Sequence, residues 1–157
     1  MLLFRVSCTT GNAMSQISRS ALVPYSAEQM YRLVNDVDAY PEFLPGCTGS
    51  RVLDANEGQM TASVDVSKAG ISKTFVTRNT LTHNQSIHMQ LVDGPFRSLS
   101  GGWTFVSLGD DACKVELNLE FEFTNKLIEL AFGRIFKELA SSMVQAFTLR
   151  AKEVYRA

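Results

Sequence analysis

The strongest pattern in the chain lies toward its end, where a two-residue period gives way to a helical one. Cys113, Val115, Leu117, Leu119, Phe121 and Phe123 alternate with Lys114, Glu116, Asn118, Glu120 and Glu122. That alternation predicts a strand with one oily and one wet face in an antiparallel sheet. After Thr124-Asn125, either of which can cap a helix, Ile128, Phe132, Ile135, Phe136, Leu139, Met143, Phe147 and Val154 recur at helical spacing. No proline interrupts this run. At ~1.5 Å per residue, about thirty residues make a rod roughly 45 Å long. Its apolar stripe is too wide to stand in water, so a broad concave surface must cover it.

The upstream segments supply that surface. Gln16 to Val23 reads as a strand, ended by Pro24. Ser26-Ala27-Glu28-Gln29 has the form of a capping box. The helix after it carries Met30, Leu33, Val34 and Val37, and stops before Pro41, which bars its predecessor from helical geometry. Tyr40-Pro41-Glu42-Phe43-Leu44-Pro45-Gly46-Cys47 is a stiff, greasy loop with room for one helical turn, suited to plugging a core or lining a mouth.

A run of hairpins follows, with strands from Arg51, Met60, Ile71, Ile87, Leu99 and Cys113. Turns fall at Asn56-Glu57-Gly58, Lys68-Ala69-Gly70, His83-Asn84-Gln85, Asp93-Gly94-Pro95 and Gly109-Asp110-Asp111. Gly101-Gly102, inside a strand, marks a bulge or a close backbone approach. The order is strand, helix, helical turn, six strands, long helix. It predicts an α+β domain in which a curved antiparallel sheet of about seven strands wraps around the C-terminal helix.

Length and composition add bounds. At 157 residues with 45% hydrophobic content, one domain spanning 15–157 can bury a real core. Fifteen basic against 16 acidic residues argue against nucleic-acid binding driven by net charge. Cys8, Cys47 and Cys113 are odd in number and show no C-x-x-C, which favours a reducing, cytoplasmic compartment. Residues 1–14 read as a disordered tail or an over-long start with Met14 as the initiator. Met-Leu-Leu-Phe is too short for a signal core, and Arg5 spoils the faint lipoprotein signal before Cys8.

Catalytic chemistry finds little support. His83 falls in a turn and His88 on a wet strand face, so no nucleophile–base pair can be assembled. Cys113 belongs to an inward set and reads as a core residue. Asp36 and Asp38 lack the glycine and distal glutamate of a calcium loop. Geometry favours a cavity instead. A strongly curved sheet cannot touch a straight rod along its whole length, so a gap opens at one end, closed by the Tyr40–Pro45 loop. The expected volume is several hundred Å³, on the order of ordinary ligand pockets. Tyr40, Trp103 and Arg78 are its candidate polar anchors. Its expected lining comprises Val34, Phe43, Leu44, Val64, Phe75, Leu91, Phe105, Leu119, Phe132, Phe136, Met143 and Phe147. Gly133 in the helix either allows close packing on the sheet or leaves room for a ligand.

The stretches ISRSALVPYSAEQMYRLVNDVDAYPEFLPGC, VDVSKAGISKTFVTRN, LVDGPFRSLSGGWTF and FEFTNKLIELAFGRIFKELASSMVQAF resemble the bacterial RatA family. That family is related to mitochondrial coenzyme Q-binding proteins within the START-like, polyketide-cyclase-like superfamily. The likeness covers Ser15 to Tyr155 and implies a helix-grip fold. It implies two activities, neither enzymatic. One is a toxin that binds the large ribosomal subunit and blocks subunit joining, with a small antitoxin as a further partner. The other is a carrier that holds ubiquinone or another prenyl lipid in the cavity and supports respiration. No other cofactor is required. On the first reading, Lys68 and Lys73 around the Ala69-Gly70 turn and Arg97 beyond Pro95 form a patch for ribosomal RNA. Arg150, Lys152 and Arg156 complement the helix C-terminus.

Overall fold

The computed structural model describes residues 3–8 and 14–155. Its strands are β1 (Leu3–Cys8), β2 (Ser15–Val23), β3 (Cys47–Ala55), β4 (Gln59–Lys68), β5 (Ile71–Thr82), β6 (Ser86–Asp93), β7 (Phe96–Ser107) and β8 (Cys113–Phe123). Helix α1 (Ala27–Asn35) and a 3-10 turn (Val37–Glu42) join β2 to β3, and α2 (Lys126–Val154) closes the chain. The strands form one antiparallel sheet in the order β1-β2-β8-β7-β6-β5-β4-β3. The expected seven-strand meander is β2–β8, and β1 extends its edge by pairing Leu3 with Ser20 through Cys8 with Ser15. That strand lies inside the segment expected as a tail; residues 1–2 and 9–13 of the segment, and Arg156, lie outside the described residues.

Local chemistry sets the element ends. Ser26 Oγ accepts from the Gln29 backbone N–H at 3.1 Å, and Gln29 Oε1 accepts from the Ser26 N–H at 2.9 Å, completing the capping box. Of the two candidate caps for α2, Asn125 is used: its Oδ1 accepts from the Ile128 N–H at 2.9 Å. β3 starts at Cys47 rather than Arg51, because Gly46, at φ +85°, completes the turn early and Cys47 pairs with Val66. Register shifts at Cys47/Gly49, Val52/Asp54, Val76/Thr77 and Phe96/Ser98 accentuate the bend of the sheet.

Gly101 and Gly102 mark a close approach, with the ladder unbroken around them. A Cβ on Gly101 would stand 2.1 Å from the Asn118 carbonyl oxygen, and one on Gly102 2.0 Å from that of Ile87. The inward set of β8, Cys113 through Phe123, is buried throughout. On α2 the buried face is Phe132, Gly133, Phe136, Leu139, Ala140, Val144, Phe147 and Ala151. Ile128, Ile135 and Met143 flank it half-buried, whereas Val154, expected on the stripe, stands 50% exposed at the last turn.

Candidate functional site

The interior between α2 and the sheet has two unlike ends. Near the N-terminus of α2, aromatic rings fill it. Phe136 meets Phe96 at 4.8 Å, Phe121 at 4.9 Å and Phe75 at 5.8 Å between centroids, and Phe96 stacks on Phe123 at 5.2 Å. Fully buried Phe132 belongs to this end, not to a ligand-facing stripe. Gly133 packs here too: an added Cβ would meet the Phe123 ring at 3.4 Å, which answers the choice between packing and ligand space in favour of packing.

Beyond Phe75 and Phe136 the rings give way to a cavity of about 60 Å³. This is much smaller than the several hundred Å³ expected, because the side chains of Leu44, Met89, Leu139 and Met143 close in on the gap. What keeps it open are Ala62 on β4 and Ala140 on α2, whose short side chains leave the space between strand and helix. Val37, Tyr40, Leu44, Val64, Phe75, Leu99, Trp103, Leu119, Phe136 and Met143 complete the apolar wall.

Several expected lining residues lie elsewhere. Arg78 is exposed on the outer face, since β5 alternates and its neighbours Thr77 and Asn79 are the ones that face inward. Val34 is buried in α1, where its carbonyl accepts the Tyr40 hydroxyl. Phe105 stacks on Trp103 and meets Tyr31 edge-on, behind the wall. Leu91 sits half-buried on β6 outside the cavity. Phe147 supports the wall from below, with Trp103 at 5.3 Å and Tyr40 at 5.4 Å. Phe43 caps Phe147 at 5.1 Å from outside and is itself covered by the Arg150 guanidinium, 5.0 Å from its ring. Arg150 also pairs with Glu42 at 2.9 Å, so α2 clasps the 3-10 segment over this end.

The missed residues are polar. Thr77 and Asn79 are 5% and 6% exposed, and the Thr77 hydroxyl donates to Asn79 Oδ1 at 2.8 Å inside the cavity. No charged side chain lines the space. Its one titratable group with a usable hydroxyl, Tyr40, is held protonated, burial raising its pKa beyond the ordinary tyrosine range. His83 and His88 are exposed, as expected, His83 edge-on to Tyr31. The Cys113 thiol is fully buried and pushed up to about 11 by burial. Among the described residues no group of three His, Cys, Asp or Glu side chains is placed to hold a metal, Asp36 and Asp38 included.

The cationic candidates gather at the filled end. Lys68 pairs with Glu138 of α2 at 2.9 Å, and Arg134 shares that carboxylate at 3.3 Å. These two cations hold the Glu138 carboxyl below its usual range. Arg97 pairs with Glu122 at 3.5 Å and reaches the Thr124 carbonyl. Lys73 makes no ion pair among the described residues. It shares a strand face with Phe75, whose ring lies 5.9 Å from that of Phe96, next to Arg97. Leu127 and Leu130, in the first turns of α2, stand 75% and 77% exposed at the same end.

A family model described as "Polyketide cyclase / dehydrase and lipid transport" matches residues 23–148. The chain is 75% identical to the ribosome association toxin RatA of Escherichia coli K12, over 92% of this chain and 91% of that protein. The chain belongs to the RatA family. To the persistence and stress-resistance toxin PasT of Escherichia coli O6:H1 this RatA-family chain is 76% identical, with the same shares covered. A more distant relative is the mitochondrial coenzyme Q-binding protein COQ10 homolog B of Xenopus laevis, 29% identical over 92% of this chain and 61% of that protein. Among solved structures, the Zhui aromatase/cyclase from Streptomyces sp. R1128 superposes with a TM-score of 0.80 at 17% identity, covering 92% of this chain and 97% of that one. At that identity the likeness speaks for the START-like helix-grip fold alone. No helix among the described residues is long and apolar enough to cross a membrane.

Proposed function

We propose that this RatA-family chain is a non-enzymatic toxin that binds the large ribosomal subunit and prevents its joining to the small one. The observation that carries the proposal is the 75% identity, over nearly the whole chain, to a protein named a ribosome association toxin. The surface we assign to the contact is the filled end. Lys68, Lys73 and Arg97 there supply cations for phosphates, whose contacts dominate affinity for nucleic acid. Exposed Leu127 and Leu130, in the first turns of α2, supply apolar area of the kind that marks interaction sites. Absence of an acid–base pair at the cavity supports a binding role over a cyclase-type reaction.

Inducing the chain in cells and sedimenting the ribosomes tests the proposal. Free subunits are expected to accumulate at the expense of joined ribosomes, with the chain in the large-subunit fractions. An unchanged profile would remove it.

A second reading, carriage of an apolar molecule such as a prenyl quinone, is favoured by the Ala62–Ala140 cavity and by the lipid-transport family description. At about 60 Å³ the closed cavity is well below the ~150 Å³ that admits benzene. A lipid therefore enters only if Leu44 and Met143 swing aside. Mass spectrometry of an organic extract of the purified protein tests this, a bound quinone or other lipid being the expected finding and a clean extract the adverse one.

A further inference from the structure

Asn79 is an unusual residue for its position. It lies in the middle of β5, paired with Met60 on β4 and Met89 on β6, and faces the cavity with 6% of its surface exposed. A leucine or valine would fill such a site without cost. The amide instead brings two N–H groups and one carbonyl oxygen into an apolar interior. The oxygen is used, accepting from the Thr77 hydroxyl at 2.8 Å. Its Nδ2 donates to no acceptor among the described residues and is left for what enters the cavity.

We infer that Asn79, held in place by Thr77, is the anchor for a neutral hydrogen-bond acceptor: the carbonyl oxygen of a ketone, quinone or ester on an otherwise apolar molecule. The inference rests on the carrier reading and deepens it by naming the group that the cavity recognises. Three features select that class. The remaining wall is apolar apart from Tyr40, whose hydroxyl already donates to the Val34 carbonyl. No charged side chain lines the cavity, so a carboxylate, phosphate or ammonium head would be desolvated there without a partner. Met60 and Met89, the cross-strand neighbours of Asn79, are unbranched and adapt to irregular shapes, so the anchor is fixed while its surroundings yield. The cavity exceeds the ~10–15 Å³ that one water needs, so there is room to solvate the amide when no ligand is bound.

Cyclohexanone and methylenecyclohexane test this, since they share a shape and differ by an oxygen in place of a CH₂ group. Each is titrated into the full chain, with binding followed by the fluorescence of Trp103, the sole tryptophan, which lines the cavity. NMR of the Asn79 side-chain amide is the second readout. In wild type the ketone is expected to shift the Asn79 amide protons downfield and the hydrocarbon to leave them near their starting position. Asn79→Leu is expected to weaken the ketone about fivefold, the size of one net hydrogen bond, while the hydrocarbon binds as before or more tightly. The double variant Thr77→Val/Asn79→Leu removes both partners together and gives the same contrast if the single variant folds poorly. Ketone affinity unchanged in these variants, with both probes still binding, would overturn the anchor and leave the carrier reading standing. Failure of both probes to bind wild type would remove the two together.

Discussion

The two ends of the interior are built from the same sheet and the same helix, yet one is solid and the other hollow. At the solid end, Phe96, Phe121, Phe123, Phe132 and Phe136 meet edge-on or stacked, and each ring fills what its neighbours leave. At the hollow end, alanines at 62 and 140 and the polar pair Thr77–Asn79 replace large apolar groups, and the 3-10 segment with Phe43 closes the mouth. The outer surfaces differ as well. Cations with exposed leucines surround the solid end, Lys73 making no ion pair among the described residues, whereas the hollow end is clasped by Arg150. On the proposed roles, surface recognition falls at the solid end and small-molecule binding at the hollow one. One fold can serve both proposed roles without either constraining the other.

Substitutions at each end sharpen that contrast. Phe121→Ala, deep in the solid end, is expected to cost ~3–5 kcal/mol in urea denaturation, because close-packed rings cannot collapse into the space. Met143→Ala, half-buried at the hollow end, is expected to cost ~2 kcal/mol, at the low end for such truncations. It is also expected to widen the cavity, so that cyclohexanone binds more tightly than to wild type. Equal losses from the two truncations would break the comparison. Thr77→Val/Asn79→Leu is expected to change stability by no more than ~1 kcal/mol in either direction, since removing both hydrogen-bond partners leaves nothing unpaired. A loss of several kcal/mol would show that the pair holds the fold. Gly133→Ala is expected to raise stability by up to ~1 kcal/mol through helix propensity, its Cβ settling at ordinary contact with Phe123. Thermal melts resolve the sign.

The sequence carries the fold because its periodicities are long and unambiguous. Eleven alternating residues at β8, a 29-residue helix without proline and a complete capping box before α1 each fix one element. β1 escaped detection because the six residues Leu3–Cys8 stand at a terminus and show too short a pattern to be told from a tail, although Gly11-Asn12 after them is a turn signal; partnership with β2 defines them. The cavity was legible in outline, through Tyr40, Leu44, Trp103 and Met143, but not in its chemistry. β5 reads as a strand of mixed character, and Arg78 stands with Tyr40 and Trp103 as a candidate polar anchor. Placing Phe75 and Leu81 on the inner face would have put Thr77 and Asn79 between them and Arg78 outside. The size of the gap was not readable, because it depends on how far flexible Leu44 and Met143 lean inward. The alanines that open it carry no signal on their own.

The central proposal is that this chain prevents the joining of the ribosomal subunits through the cationic rim of its solid end. Light scattering of purified large and small subunits, mixed after the large subunit has been incubated with the chain, tests it most directly. Wild type is expected to suppress the rise in scattering that marks joining, and folded Lys68→Glu/Lys73→Glu, checked by circular dichroism, to permit it. A full rise in the presence of stoichiometric wild type would contradict the claim, and equal suppression by the charge-reversed variant would contradict the assigned surface.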